Sequence, residues 1–278
     1  MKTNASSPIG IFDSGIGGLT VAERVIKDFP TEDIIYFGDT AHLPYGDKSE
    51  DLIRHYSRRI SEFLIEEGCK LIIIACNTAS SVAYEELRRD FGDKVFFVNV
   101  VDPAARGISK MQGVTDIGII GTQRTISSDI YAEKLKQLRP NIRVHSLATP
   151  LLAPMIEAGF FNHQISEAVI ETYLSDEKLN TIQTLMLACT HYPLIKEQID
   201  NFYKGRVSVF DSTDFISEEV GTILDKHRLH NEKKTRKDHF YVSDLTESFE
   251  KTTRLFFKGE IELKHCPLWE NQKSYSYE

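Results

Sequence analysis

Two cysteines, each delivered by a short apolar run, are the residues of this chain best suited to chemistry. Ala75-Cys76-Asn77-Thr78 follows Leu71-Ile72-Ile73-Ile74, and Ala188-Cys189-Thr190-His191 follows Leu185-Met186-Leu187. A free cysteine is ordinarily a small buried apolar residue. Here both stand where an apolar strand would end, beside hydroxyls, an amide or an imidazole, and both open a loop leading into a helix. A thiol near a helix N-terminus gains thiolate character from the backbone dipole and free N–H groups. Two thiols facing one carbon from opposite sides could take a proton from one face and return one to the other, which a single base fixed on one face cannot do.

The elements that must position these residues alternate. Strands are expected over 8–12, 33–37, 70–75 and 95–98, with helices over 19–29, 49–67 and 79–91. In the clearest helix Leu52, Ile53, Tyr56, Ile60, Phe63 and Leu64 fall at helical spacings, and Gly68 stops the run. The pattern then restarts, with strands over 116–120, 142–147, 182–188 and 207–210. Helices are expected over 128–138, within 150–174 with a break at Gly159, and over 194–203. Such alternation implies parallel sheets with right-handed crossovers. Each cysteine ends the third strand of its series. The expectation is an α/β protein of two similar lobes, each a central, mostly parallel sheet flanked by helices, with the site in the cleft where strand C-termini face each other. A last alternation (helix 215–227, strand 239–242, helix 245–257) is expected to rejoin the first lobe. Residues 1–98 with 211–278 then form one lobe and 99–210 the other.

With 278 residues the chain is long enough for one large α/β domain or two moderate ones. A net charge of -8 argues against broad nucleic-acid binding. The one dense basic run, Lys233-Lys234-Thr235-Arg236-Lys237, reads as a solvated loop. No apolar stretch approaches the ~20 residues of a membrane span, and the polar start, Met1 to Ser7, lacks a signal core, so a cytoplasmic protein is expected. Its four cysteines should be reduced there. Cys69, at a helix-to-strand turn, reads as structural. His265-Cys266 has no second spaced pair, so no metal site is expected. The tail from Lys264 onward, with the single tryptophan Trp269, could pack on the core or mediate association.

Other polar residues cluster at the expected strand ends. Asp13-Ser14-Gly15-Ile16-Gly17-Gly18 is a tight turn after the first strand. It matches neither phosphate-binding glycine pattern, but Asp13 and Ser14 beside backbone N–H groups could hold the charged ends of a small zwitterion. Asn77, Thr78, Thr122, Thr125 and Thr190 supply neutral donors suited to a carboxylate. His191, two residues after Cys189, is either a helix-start residue or a local acid or base for that thiol. Glu157 is an acid on an apolar stretch, which an exposed helix face would also explain.

Taken in order, five strings resemble the cofactor-independent aspartate/glutamate racemase superfamily. They are Asp13-Ser14-Gly15-Ile16-Gly17-Gly18, Pro44-Tyr45-Gly46, Ala75-Cys76-Asn77-Thr78-Ala79-Ser80, Gly121-Thr122 with Thr125, Ser128 and Tyr131, and Cys189-Thr190-His191-Tyr192-Pro193-Leu194. The last, with Pro-Tyr-Gly, favours the glutamate racemases over the aspartate and hydantoin branches. Ala188 departs from the family, which more often has glycine there. The resemblance implies glutamate as substrate, no pyridoxal phosphate or other cofactor, and D-glutamate made for peptidoglycan precursors. It implies that Cys76 deprotonates D-glutamate and Cys189 L-glutamate, with Asp13 assisting Cys76, and His191 and Glu157 assisting Cys189. It places Asp13, Ser14, Tyr45, Gly46, Asn77, Thr78, Thr122, Thr125, Thr190 and His191 around the substrate, and it implies a homodimer. Two rivals remain: another racemase, epimerase, isomerase or decarboxylase using the twin-cysteine site, and a two-lobed protein that binds a small acid without turnover.

Overall fold

The computed structural model describes residues 4–161 and 164–270. Residues 1–3, 162–163 and 271–278, which include the start of the polar N-terminus and the end of the tail, lie outside the described residues. The strands are β1 (Ile9–Asp13), β2 (Ile34–Gly38), β3 (Leu71–Ile74), β4 (Phe96–Asn99) and β5 (Asp116–Gly121). They continue with β6 (Arg143–Ala148), β7 (Thr184–Ala188), β8 (Ser208–Asp211), β9 (His239–Val242) and β10 (Leu263–His265). The first helices are α1 (Leu19–Asp28), α2 (Glu50–Glu66), α3 (Asn77–Phe91), α4 (Val101–Ser109), α5 (Gln123–Ser127) and α6 (Ile130–Leu138). The rest are α7 (Leu152–Glu157), α8 (Gln164–Leu174), α9 (Lys196–Tyr203), α10 (Ile216–His227) and α11 (Glu247–Phe256). Three of these, α4, α5 and β10, go beyond the elements expected from spacing. Among the described residues no helix is long and apolar enough to cross a membrane.

Two parallel sheets result. One has the order β10-β9-β2-β1-β3-β4 and the other β6-β5-β7-β8. The quartets β2-β1-β3-β4 and β6-β5-β7-β8 share one connectivity, so the repeated sequence pattern is a repeated fold. In each, the strand that leads to a cysteine pairs with the first strand of its series. β9 and β10 extend the first sheet, through β9 on β2.

Strands buried on both faces must be apolar along their length, which is why β3 reads Leu-Ile-Ile-Ile. Alternate residues then serve different cores. Ile9, Ile11, Leu71 and Ile73 join Ile120, Leu185, Leu187 and Tyr192 in one cluster that runs unbroken between the sheets. The opposite faces carry their own clusters, around Phe12, Ile72 and Ile74 in one sheet and Ile117, Ile119 and Met186 in the other.

The segment between α10 and β9 is tied to the first sheet by buried charge. Lys70, fully buried, pairs with Glu32 and donates to the carbonyl of Leu229 at 2.7 Å. Glu32 also accepts the backbone N–H of Asn231 at 2.8 Å, and Asp33 accepts those of Thr235 and Arg236. Burial pulls the Lys70 ammonium below its ordinary range, although the Glu32 carboxylate counters it. Removing one partner of such a pair strands the other charge in the interior, at a cost of about 3–5 kcal/mol. Lys70→Met is therefore expected to lower the unfolding free energy by about that amount in a denaturant titration. A variant as stable as the parent would show that the pair contributes nothing.

Candidate active site

Both thiols stand at the C-terminal rims of their sheets. Cys76 follows β3 and caps α3 itself, its sulfur accepting the Ala79 N–H at 3.4 Å. This cap starts α3 at Asn77, two residues earlier than the expected start at Ala79. Cys189 directly follows β7. The thiols are 5% and 7% exposed, and they line the same cavity.

The turn after β1 reaches across to the second sheet. Asp13, fully buried, accepts from Gly15 N–H at 3.0 Å and from the Thr190 hydroxyl at 3.3 Å. Its neighbour Ser14 takes a 3.6 Å hydrogen bond from the Cys76 thiol. A Cβ on Gly17 would lie 2.6 Å from Thr190 Oγ1 and 2.7 Å from His191 Nδ1, so only glycine lets the two loops approach this closely. A second crossing joins three hydroxyls. Thr78 lies 2.9 Å from Thr122 and 3.1 Å from Thr125, and the latter two are 3.0 Å apart.

The neighbours of the two thiols differ. Burial, then the charge of Asp13, push the Cys76 thiol up to about 12, against the opposing Ala79 N–H and Ser14 hydroxyl. Burial also raises Asp13, opposed by His191 and by the Gly18, Gly15 and Thr190 donors. On the other side, the Cys189 sulfur lies 3.7 Å from His191 Nδ1, and His191 Nε2 lies 2.8 Å from Glu157 Oε1. That second contact is an ion pair by distance but lacks hydrogen-bond direction, since Nε2 makes no aligned hydrogen bond. Burial alone would lower the imidazole pKa. Cys189 and Glu157 together outweigh it and hold His191 well above its ordinary value.

The cavity walls also include Ser14, Pro44, Tyr45, Gly46, Asn77, Thr78, Thr122, Ala153, Glu157, Ala188, Thr190 and His191. Only about 30 Å³ is open to the centre of a water molecule, room for about two waters. An amino acid therefore enters only if the walls part. Roomier grooves lie around Phe257, and neither Cys76 nor Cys189 lines them.

Known proteins match this arrangement over nearly its whole length. The family model for Asp/Glu/hydantoin racemase matches residues 20–220. The glutamate racemase of Chlorobaculum parvum is 39% identical over 261 residues, covering 94% of this chain and 96% of that protein. That of Aquifex aeolicus is 40% identical, covering 92% and 96%. Among solved structures, glutamate racemase from Francisella tularensis in complex with D-glutamate superposes with a TM-score of 0.89 at 36% identity, over 96% of this chain and 99% of that one. The chain belongs to the Asp/Glu/hydantoin racemase family, among the glutamate racemases.

For a racemase of this family, two expected site residues stand back from the cavity. Asp13 lies behind the wall, and Thr125, 1% exposed, backs Thr78 and Thr122. Two others line it with their polar groups already engaged. The Tyr45 hydroxyl donates to Asp39 at 2.6 Å, and the Asn77 amide donates to Ser212 while accepting from the Tyr131 hydroxyl at 2.6 Å. Asp39, Tyr131 and Ser212 were not expected as site residues. Asp39 carries a readable signal, an acid directly after a strand. Ser212 follows a strand too, but its pairing with Asn77 spans 135 positions and leaves no local mark. Ala188, the departure from the family pattern, is fully buried on the wall, where its methyl fits.

His191 yields a pH dependence. Its folded pKa is raised, so its contribution to stability is complete below the unfolded value of about 6.5 and fades as pH rises through the folded one. Glu157→Gln removes one of the raising groups. Melting temperatures taken between about pH 6 and 9 should then fall by less, and level off at lower pH, than in the parent; an unchanged profile would remove Glu157 as a partner of the imidazole.

Proposed function

We propose that this protein interconverts L- and D-glutamate by two-base proton transfer, without a cofactor, and supplies D-glutamate for peptidoglycan precursors in the cytoplasm. One observation carries the reading: two buried thiols, on equivalent strand ends of two sheets, line one small cavity. Two matched thiols are unnecessary for binding alone, which weighs against a protein that only captures a small acid. In this reading the lobes, residues 1–98 with 211–278 and residues 99–210, part to admit substrate and close to exclude water.

The electrostatics support distinct resting roles. His191, its pKa raised, lies 3.7 Å from the Cys189 sulfur and so supports Cys189 as the base toward L-glutamate. Cys76, pushed up to about 12, keeps its proton. Starting from L-glutamate, the Cys189 thiolate takes the α-proton and the Cys76 thiol protonates the opposite face of the carbanion, giving D-glutamate. The reverse reaction starts from a Cys76 thiolate. The substrate's ammonium would favour that anion, and Asp13, raised by burial, is a nearby station for its proton. Neutral hydroxyls at Thr78, Thr122 and Thr190, together with the N-terminus of α3, suit the substrate carboxylates.

The test is racemisation of L- and D-glutamate by the parent, Cys76→Ser and Cys189→Ser with no cofactor added. Each variant should lose about 10²–10⁴-fold in turnover, the usual contribution of a general acid or base. Parent-like turnover by either variant would refute the two-thiol roles. Exchange of the α-proton of another amino acid in D2O, with none for glutamate, would refute the substrate.

A further inference from the structure

Asp39 is a buried carboxylate that collects donors from its own loop and from two distant parts of the chain. It follows β2 and is fully buried. It accepts from the Tyr45 hydroxyl at 2.6 Å, from Ser243 Oγ after β9 at 2.7 Å, and from the Trp269 indole N–H at 2.9 Å. His42 Nδ1 lies 3.0 Å away. The Trp269 ring packs edge-on against His42 at 4.7 Å and Tyr56 at 5.4 Å, and His42 stacks on Tyr56 at 4.1 Å. Beside it, Leu268 is buried in the same apolar cluster as Tyr45. The backbone reinforces the seat, as Cys266 N–H donates to the Val242 carbonyl at 2.9 Å.

The other side of this hub faces the substrate cavity. Pro44, Tyr45 and Gly46 form part of its wall, and a Cβ on Gly46 would lie 2.9 Å from Thr122 Cβ. Arg124 of the second sheet's α5 donates to the carbonyl of Lys48 at 3.1 Å. The loop is therefore gripped from two directions, by residues after β5 across the cavity and by the C-terminal tail through Asp39.

We propose that Trp269 is a positioning residue for the cavity loop Pro44–Gly46, acting through Asp39 on Tyr45 and so setting affinity for glutamate. The thiols follow β3 and β7 and lie outside the loop that Asp39 holds, so the effect falls on KM and leaves kcat nearly alone. The inference rests on the proposed glutamate racemisation and extends it to a segment remote in sequence from both cavity cysteines.

Steady-state kinetics on L-glutamate with the parent, Trp269→Phe, Tyr45→Phe and the double variant test it. Tyr45→Phe deletes only the O–H that meets Asp39, while Trp269→Phe keeps one aromatic ring and deletes the indole N–H with the rest of the bicycle. Each single variant should raise KM about 3- to 10-fold, the size of one net hydrogen bond, with kcat within about twofold. The double variant should be no worse than the weaker-binding single one, because both act through one carboxylate. An unchanged KM in Trp269→Phe overturns the proposal, as does a double variant whose KM shift equals the product of the two single shifts. If the parent racemises no glutamate, it is the functional reading that fails instead. A second measurement needs no variant. Trp269 is the only tryptophan of the chain, so its emission in the parent should change saturably on titration with L-glutamate, and flat emission at saturation contradicts the coupling.

Discussion

The close approach of two loops, Asp13–Gly18 from one sheet and Cys189–His191 from the other, is the constraint on which the rest of the structure depends. Gly17 permits it, and the hydrogen bond from Thr190 to Asp13 holds it. Because the sheets share one strand order, bringing equivalent rims together places the two thiols on one cavity. The unbroken apolar cluster between the sheets supplies the driving force, and the polar crossings set the register. Hydrophobic burial is non-directional, so the angle at which the two sulfurs face the cavity must come from these hydrogen bonds and from the glycine that makes room for them.

Equivalent placement does not make the thiols equal. Cys76 has a buried carboxylate behind it, while Cys189 has an imidazole that is itself paired with Glu157. A symmetric fold thus gives its two thiols asymmetric surroundings. Asp13 couples the two sides. Its charge adds to burial in raising Cys76, His191 opposes the burial that raises its own pKa, and its oxygen meets the loop of Cys189.

The alternation of strands and helices was legible in the sequence because parallel strands buried on both faces leave continuous apolar runs such as Leu71–Ile74. The twin tetrapeptides marked the two rims for the same reason. What escaped was short or long-range. The helix α4 carries Val101, Ala104, Ala105 and Ile108 at helical spacing, but Pro103 and Gly107 punctuate it. The strand β10 is three residues long and gains its partners only through β9. Asp13 could be placed beside Cys76 by sequence, yet its hydroxyl partner Thr190 is 177 positions away. Tyr45 looked like a substrate contact from its motif, and its hydroxyl is engaged by Asp39, which also holds a tail residue 230 positions on. Such contacts are set by tertiary packing and leave no periodic trace.

The central claim, that two opposed thiols share one reaction, is tested most directly by following protiated L-glutamate in D2O at early times with the parent protein. Two bases predict that D-glutamate carries deuterium at Cα from the first turnovers, while the remaining L-glutamate stays protiated. Protium retained in the D-glutamate formed would mean that one base carries the proton from face to face, and would contradict the account.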